Sequence, residues 1–176
     1  LRHIILMLLL LVTTSGSKDP RISFEFVVPT IIQYEGFRSK AYHDSNKYVI
    51  GYGTAYHSNN RPVRRGDIIT KLEAKNNMIH HIRNNIYPYI EDIYPNLTHN
   101  QKIAIISFVY NIGGPAFRKT IVYRNIKNGR FYKASVSLLR YSNCKGCRKG
   151  LLLNRRKQEK KIFNTKKDIK VINEQD

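Results

Sequence analysis

The segment Thr98-His99-Asn100-Gln101-Lys102-Ile103-Ala104-Ile105-Ile106-Ser107-Phe108-Val109-Tyr110-Asn111-Ile112-Gly113 decides what kind of molecule this chain makes. It opens on a hydroxyl residue followed three places later by a glutamine, the capping-box pattern in which each side chain bonds the other residue's backbone N–H. From Ile103 to Tyr110 it is apolar nearly all round, which marks a helix buried on every side and therefore the central core helix. Gly113-Gly114-Pro115 ends it, because glycine adopts the C-cap conformation and proline cannot continue the hydrogen-bond ladder.

Outward from this helix, Thr70-Lys71-Leu72-Glu73 repeats the capping box and opens a helix expected to reach about Tyr87, stopped by Pro88. Further helical stretches are expected at 118–127, 131–141 and 152–163, with Asn128-Gly129 turning the chain between the first two. Phe24 to Tyr34 is mostly apolar and reads as a short helix whose first turn accommodates Pro29. Tyr48-Val49-Ile50-Gly51-Tyr52-Gly53-Thr54 is β-branched and aromatic with two glycines, so a small hairpin sheet is expected over about 41–56. The polar stretch 57–65, with Pro62, is a loop, and no internal repeat is present.

The chain has 176 residues, which corresponds to one domain or one domain with two lobes. A hydrophobic content of 41% with 10 Gly and 6 Pro excludes collagenous and wholly disordered chains. Two cysteines cannot build a disulfide framework, so a hydrophobic core must hold the fold. Against this ordinary composition stand 31 Lys+Arg and only 12 Asp+Glu, a net charge of +19, which points to a polyanionic partner.

Residues 1–17 read as a secretory signal peptide. Arg2 and His3 precede nine apolar residues from Ile4 to Val12, and Ser15 and Ser17 are placed as the small residues before cleavage at Lys18. As a helix, that run would span about 14 Å, roughly half of a ~30 Å hydrocarbon core, which suits a signal peptide; a buried N-terminal helix or a short membrane anchor is the alternative. The expected organisation is a signal peptide at 1–17, one folded domain at 18–165 and a charged tail at 166–176, with the mature chain secreted.

Glu35 closes the first apolar helix, and Asp44 lies nine residues later, at the start of the expected hairpin. Burial at a helix end favours the protonated form of a glutamic acid, while a carboxylate on a wetter hairpin stays ionised. Cleaving a glycosidic bond needs that asymmetry: a protonated acid for the leaving oxygen and a carboxylate facing the ring or its attacking water. Spacing alone is weak, since two carboxylates nine residues apart are usually unrelated surface groups.

The surrounding residues add a resemblance. Glu35-Gly36-Phe37-Arg38, Ala41-Tyr42-His43-Asp44 and Ile50-Gly51-Tyr52-Gly53 resemble the active-site segment of phage-type lysozymes and endolysins, glycoside hydrolase family 24. The likeness continues in order through Gly66-Asp67-Ile68-Ile69-Thr70, Leu97-Thr98, Gln101, Ala104, Ser107-Phe108, Asn111, Gly113, Phe117 and Asn128-Gly129. It ends on Gly150-Leu151, Asn154-Arg155-Arg156 and Glu159. The resemblance implies a lysozyme-like α+β fold, mainly helical, with a small antiparallel sheet lobe flanking a cleft. It also implies hydrolysis of the β-1,4 bond between N-acetylmuramic acid and N-acetylglucosamine in bacterial peptidoglycan, without cofactor or metal.

On this pattern Glu35 is the general acid and Asp44 its partner. The family's threonine has no counterpart: five residues after Asp44 lies Ile50, and alignment on Ile50-Gly51-Tyr52-Gly53 puts Val49 in its place. Valine matches threonine in shape but has no hydroxyl to hold water. Thr54 and Ser45 are the nearby hydroxyls, and Thr54 stands where many relatives carry His. The departure keeps a rival open: a cationic wall-binding or membrane-active antibacterial protein with weakened or no hydrolysis.

Asn111 and Tyr52 are the candidate substrate-binding residues, the first either buried or reaching the cleft, the second either stacking on a sugar or packing in the sheet. His80 and His81 read as solvated helix surface, and the six histidines show no metal-ligand spacing. Cys144 and Cys147 have redox-motif spacing, and outside the cell they either bridge across the local turn or stay free, while Asn96-Leu97-Thr98 is a chance sequon. Arg155 and Arg156 are expected to pair with acids in the helical lobe, while the other C-terminal cations draw the protein to anionic cell-wall polymers. Nucleic acid is not an expected partner, since no aromatic-basic interleaving is present, and the chain is expected to act as a monomer.

Overall fold

The structure, a computed structural model, describes residues 24–143 and 150–166. The expected signal peptide, Cys144, Cys147 and all of the charged tail but Lys166 lie outside them. Helix α1 (Phe24–Glu35) carries Pro29 at its sixth position, not in its first turn. An interior proline costs a helix about 3 kcal/mol. Val27, Val28 and Ile31 are buried on the same helix, each contributing roughly 1.5–3 kcal/mol, so packing outweighs the break.

Strands β1 (Arg38–Asp44) and β2 (Lys47–Gly51) form a two-stranded antiparallel hairpin, with Asp44 opposite Lys47 and Tyr42 opposite Val49. Arg38 then pairs with Gly51, so three residues of β1 face the single residue Ile50. Those bulged residues pair instead with the segment before the next helix: Ala41 N–H donates to the Asp67 carbonyl and Ile69 N–H to the Ser39 carbonyl, both at 2.9 Å. The sheet therefore starts earlier and stops earlier than the 41–56 expected. Residues 52–54 turn back on it, with the N–H groups of Gly53 and Thr54 both on the Ile50 carbonyl.

Helix α2 (Lys71–His81) opens on the expected capping box. Thr70 Oγ1 accepts from Glu73 N–H, and Glu73 Oε2 accepts from Thr70 N–H. Beyond His81 the chain stays wound but changes pitch, through a π-helical turn (Ile82–Ile86) and a 3-10 turn (Tyr87–Tyr89) that absorbs Pro88. Helix α3 (His99–Ile112) carries the second capping box, Thr98 with Gln101. Its residues Ile103 to Val109 are all buried, Ala104 through Val109 at 0% exposure, which is what apolarity on nearly every face requires.

Gly113 ends α3, and Gly114-Pro115 starts a short helix α4 (Gly114–Arg118), an element not anticipated. There Pro115 occupies a first-turn position, where its missing N–H is no loss. Helices α5 (Ile121–Lys127) and α6 (Phe131–Ser137) follow, with a 3-10 turn (Leu138–Tyr141) and then α7 (Leu151–Asn164). α3 packs against α7 and α1, while β2 packs against α2. The architecture is α+β: a mainly helical body with one small antiparallel sheet.

Candidate active site

Glu35 is the last residue of α1, and its side chain is 21% exposed. Its Oε1 accepts from Arg155 Nη1 at 2.6 Å, a contact that joins α1 to α7. Arg155 is fixed on three sides, since Nε also donates to Glu159 Oε1 at 3.1 Å and Nη2 to the Ser107 carbonyl at 3.0 Å. Its guanidinium lies 5.0 Å from the centre of the Tyr34 ring. The i,i+4 spacing of Arg155 and Glu159 places both on one face of α7.

Glu159 is fully buried. It takes hydrogen bonds from Ser107 Oγ at 2.8 Å, from Arg155, and from Arg156 Nη1. Arg156, also fully buried, donates through Nη2 to Asn111 Oδ1 and through Nε to the Tyr141 carbonyl. Desolvation pushes the Glu159 carboxyl above the usual carboxylate range and the Arg156 guanidinium below its own, while their mutual attraction works the other way. Two carboxyls and two guanidiniums thus form a charge-balanced chain: Glu35, Arg155, Glu159, Arg156.

The hairpin lobe closes on this chain from the other side. A Cβ at Gly53 would stand 3.9 Å from Glu35 Oε2, so the turn after β2 passes close to the acid. Tyr110 of α3 donates its hydroxyl to the Tyr52 carbonyl at 2.8 Å, a bond that ties helical body to hairpin. Burial, helped by the charge of Glu35, pushes the Tyr110 phenol up, so it stays a neutral donor.

Asp44 lies at the exposed hairpin tip as the last residue of β1, rather than at the start of the hairpin. Ser45 Oγ donates to its Oδ1 at 3.3 Å. Val49 is buried opposite Tyr42 and carries no hydroxyl toward the site. Thr54 is buried too, its hydroxyl held by the Ile50 carbonyl at 3.4 Å. Of the two nearby hydroxyls, Ser45 is the one that meets a candidate carboxylate.

Tyr52 is only 4% exposed, with its ring 5.7 Å from that of Phe37, so it packs and leaves little face for a sugar. Asn111 is exposed at the end of α3 and holds Arg156 with its side-chain oxygen. His81 is not solvated surface. Its ring lies edge-on to Tyr110 at 5.4 Å, and its Nδ1 accepts from Asn85 Nδ2 at 3.0 Å. Among the described residues, no three His, Cys, Asp or Glu side chains group as a metal site.

Sequence reading missed three contributors: Arg155 as the partner of Glu35, Ser107 as a ligand of Glu159, and Tyr110 as the tie between lobes. The Arg155/Glu159 spacing was a visible signal for the α7 pair. The contact from Arg155 to Glu35 spans 120 positions and leaves no local trace.

The chain matches the phage lysozyme family model over residues 32–159. An endolysin of Acyrthosiphon pisum secondary endosymbiont phage 1 is 34% identical over 140 residues, covering 77% of this chain and 92% of that protein. Among solved structures, the muramidase domain of SpmX from Asticaccaulis excentricus is 29% identical, with a TM-score of 0.64 over 78% of this chain and 94% of that one. A phage P22 lysozyme variant is 27% identical, with a TM-score of 0.65 over 82% and 98%. With this agreement of sequence and fold, the chain belongs to the phage lysozyme family and is a glycoside hydrolase of the lysozyme class.

Proposed function

We propose that this chain is an N-acetylmuramidase that cuts the β-1,4 bond between N-acetylmuramic acid and N-acetylglucosamine in peptidoglycan, with Glu35 as general acid and Asp44 as its partner. The observation that carries the reading is the setting of Glu35: the end of α1, one oxygen fixed by Arg155 and the other toward the Gly53 turn. In the reaction, the bond from the muramic C1 to the glucosamine O4 breaks, and O4 takes the Glu35 proton. Positive charge grows on C1 and the ring oxygen, where the Asp44 carboxylate opposes it. Water completes substitution at C1 and gives its proton to a carboxylate of the pair. Arg155 positions Glu35 and faces the carboxylate left after proton transfer.

Residues 1–17 act as a secretory signal in this reading, so the enzyme meets the wall outside the cytoplasm, where its charge draws it to anionic wall polymers. One observation favours a second reading, a cationic wall-binding or membrane-active protein with little hydrolysis: Val49 is buried and hydroxyl-free where the family pattern has threonine. No described helix is long and apolar enough to cross a membrane.

Clearing of purified peptidoglycan suspensions by the wild type and by Glu35→Gln separates the two. The muramidase reading expects clearing by the wild type and its loss in the variant. Equal clearing by both removes Glu35 from the chemistry. Binding to the wall without clearing by either protein establishes the second reading.

A further inference from the structure

The helical body carries an open surface cavity of about 360 Å³ lined by Lys119, Ile121, Arg124, Arg140 and Tyr141, with the three cations exposed at its rim. Three of its five lining residues are cations and none is an acid. Some cations of the described structure do meet acids: Arg61 pairs with Asp67, Arg118 and Lys127 with Asp92, and Arg155 and Arg156 with Glu159. Lys119, Arg124 and Arg140 pair with no acid among the described residues. Like charges around one cavity repel, and a bound anion relieves that repulsion.

One wall of the cavity is fixed in place. Tyr141 is held at three points: its ring lies 5.4 Å from Phe108, its carbonyl accepts from Arg156 Nε at 3.2 Å, and its hydroxyl accepts from the Ile121 N–H at 3.1 Å. With that N–H satisfying the oxygen, the hydroxyl proton has no acceptor among the described residues and can donate to a ligand. Two guanidinium forks, one ammonium and one hydroxyl offer more donors than the two oxygens of a carboxylate can take. They suit a phosphate group, which presents several acceptor oxygens in a tetrahedron.

We propose that this cavity binds a phosphate group carried on a polyol, a phosphodiester of a wall polymer or of a phospholipid headgroup. The volume exceeds that of phosphate alone and admits the attached glycerol-sized unit. The inference goes beyond bond cleavage: binding is read without hydrolysis, so its failure leaves the Glu35 reading standing.

The test compares the full-length wild type with the double variant Arg124→Gln/Arg140→Gln and with a charge-matched control, Lys71→Gln/Lys75→Gln, on the exposed face of α2. Calorimetry measures binding of inorganic phosphate and of poly(glycerol phosphate). Cosedimentation measures binding to phosphatidylcholine vesicles containing phosphatidylglycerol. All three are run at about 0.15 M salt, where diffuse attraction is screened beyond ~8 Å. Thermal unfolding checks that all three proteins fold.

The cavity variant is expected to bind inorganic phosphate at least ~10-fold more weakly, while the control changes by less than ~2-fold. Lys119→Gln alone should weaken binding by a smaller factor. Selective loss with the polymer assigns the phosphate to the wall, and selective loss with vesicles assigns it to lipid; either supports the site. Equal weakening in the cavity variant and the control, or phosphate binding indifferent to both, overturns it.

Discussion

His81 makes the protein's stability depend on pH across the mildly acidic range. Its imidazole is enclosed between α2 and α3, edge-on to Tyr110, with Lys47 and His80 as nearby cations. Burial, reinforced by those two charges, holds its pKa down at about 4, against 6.5 for the exposed ring. Asn85 donates to Nδ1, a bond that exists only while Nδ1 is unprotonated. The depressed value means the unfolded chain takes up the proton first. The contribution of neutral His81 is therefore intact above pH 6.5 and declines as the pH falls from 6.5 toward 4. At about 1.4 kcal/mol per pH unit, the loss reaches about 2.5 kcal/mol by pH 4.5.

His81→Phe keeps an aromatic edge toward Tyr110 and removes the titration. Urea unfolding of the wild type and the variant at pH 7.5, 6.0, 5.0 and 4.5 gives a stability difference in which all other titrating groups cancel. That difference should shift by about 2.5 kcal/mol toward the variant between pH 7.5 and 4.5. A difference that stays constant over the range would refute the account of a buried neutral ring. Because Tyr110 also ties α3 to the hairpin, the hairpin side of the site should loosen first, which hydrogen exchange at Tyr52 and Gly53 would register.

Glu159→Gln leaves Arg155 and Arg156 buried without their shared carboxylate, so denaturant unfolding should show a loss of about 3–5 kcal/mol; a loss below ~1 kcal/mol would mean the network is structurally redundant. Gly51→Ala places a Cβ 2.7 Å from Ala74 Cβ at a backbone φ of +65°, and the unfolding midpoint should report a loss of at least ~2 kcal/mol, with hairpin and α2 forced apart. The Asp67 carboxyl is held well below the usual range by its hydrogen bonds to His57 and to the Arg64 N–H, with Arg61 adding its charge. Its contribution is complete above about pH 4 and lost as the pH falls below that, so wild type and Asp67→Asn should converge in stability between about pH 4 and 2. Parallel acid curves would contradict this.

The parts of the fold legible in the sequence were those fixed by local chemistry. Thr70 with Glu73 and Thr98 with Gln101 start helices because a hydroxyl and a carboxyl or amide three places apart can satisfy orphan N–H groups whatever surrounds them. Ile103 to Tyr110 announced the core for the same reason: no surface face was available. Pro29 misled because interior burial of Val27, Val28 and Ile31 overrides a local helix rule. The bulge in β1 escaped notice because it is stabilised by Asp67 and Ile69, far along the chain.

At the site, Glu35 was visible from its position at a helix end, and the α7 pair from its spacing. Tyr52 packs, one of its two expected roles, but the burial of His81 was not visible, since it follows from how α2 and α3 dock. A polar residue on a polar helix gives no sign that the next helix will cover it. The same holds for Arg155, whose partner at Glu35 is chosen by the packing of α7 and α1 on α3.

The most direct measurement is the release of reducing ends from purified peptidoglycan, per mole of folded protein, by wild type and Glu35→Gln. Removal of a general acid from the reacting bond lowers the rate by about 100- to 10,000-fold, and that loss is expected here, with wall binding retained. Reducing ends released at the same rate by both proteins would contradict the assignment of Glu35 as the acid.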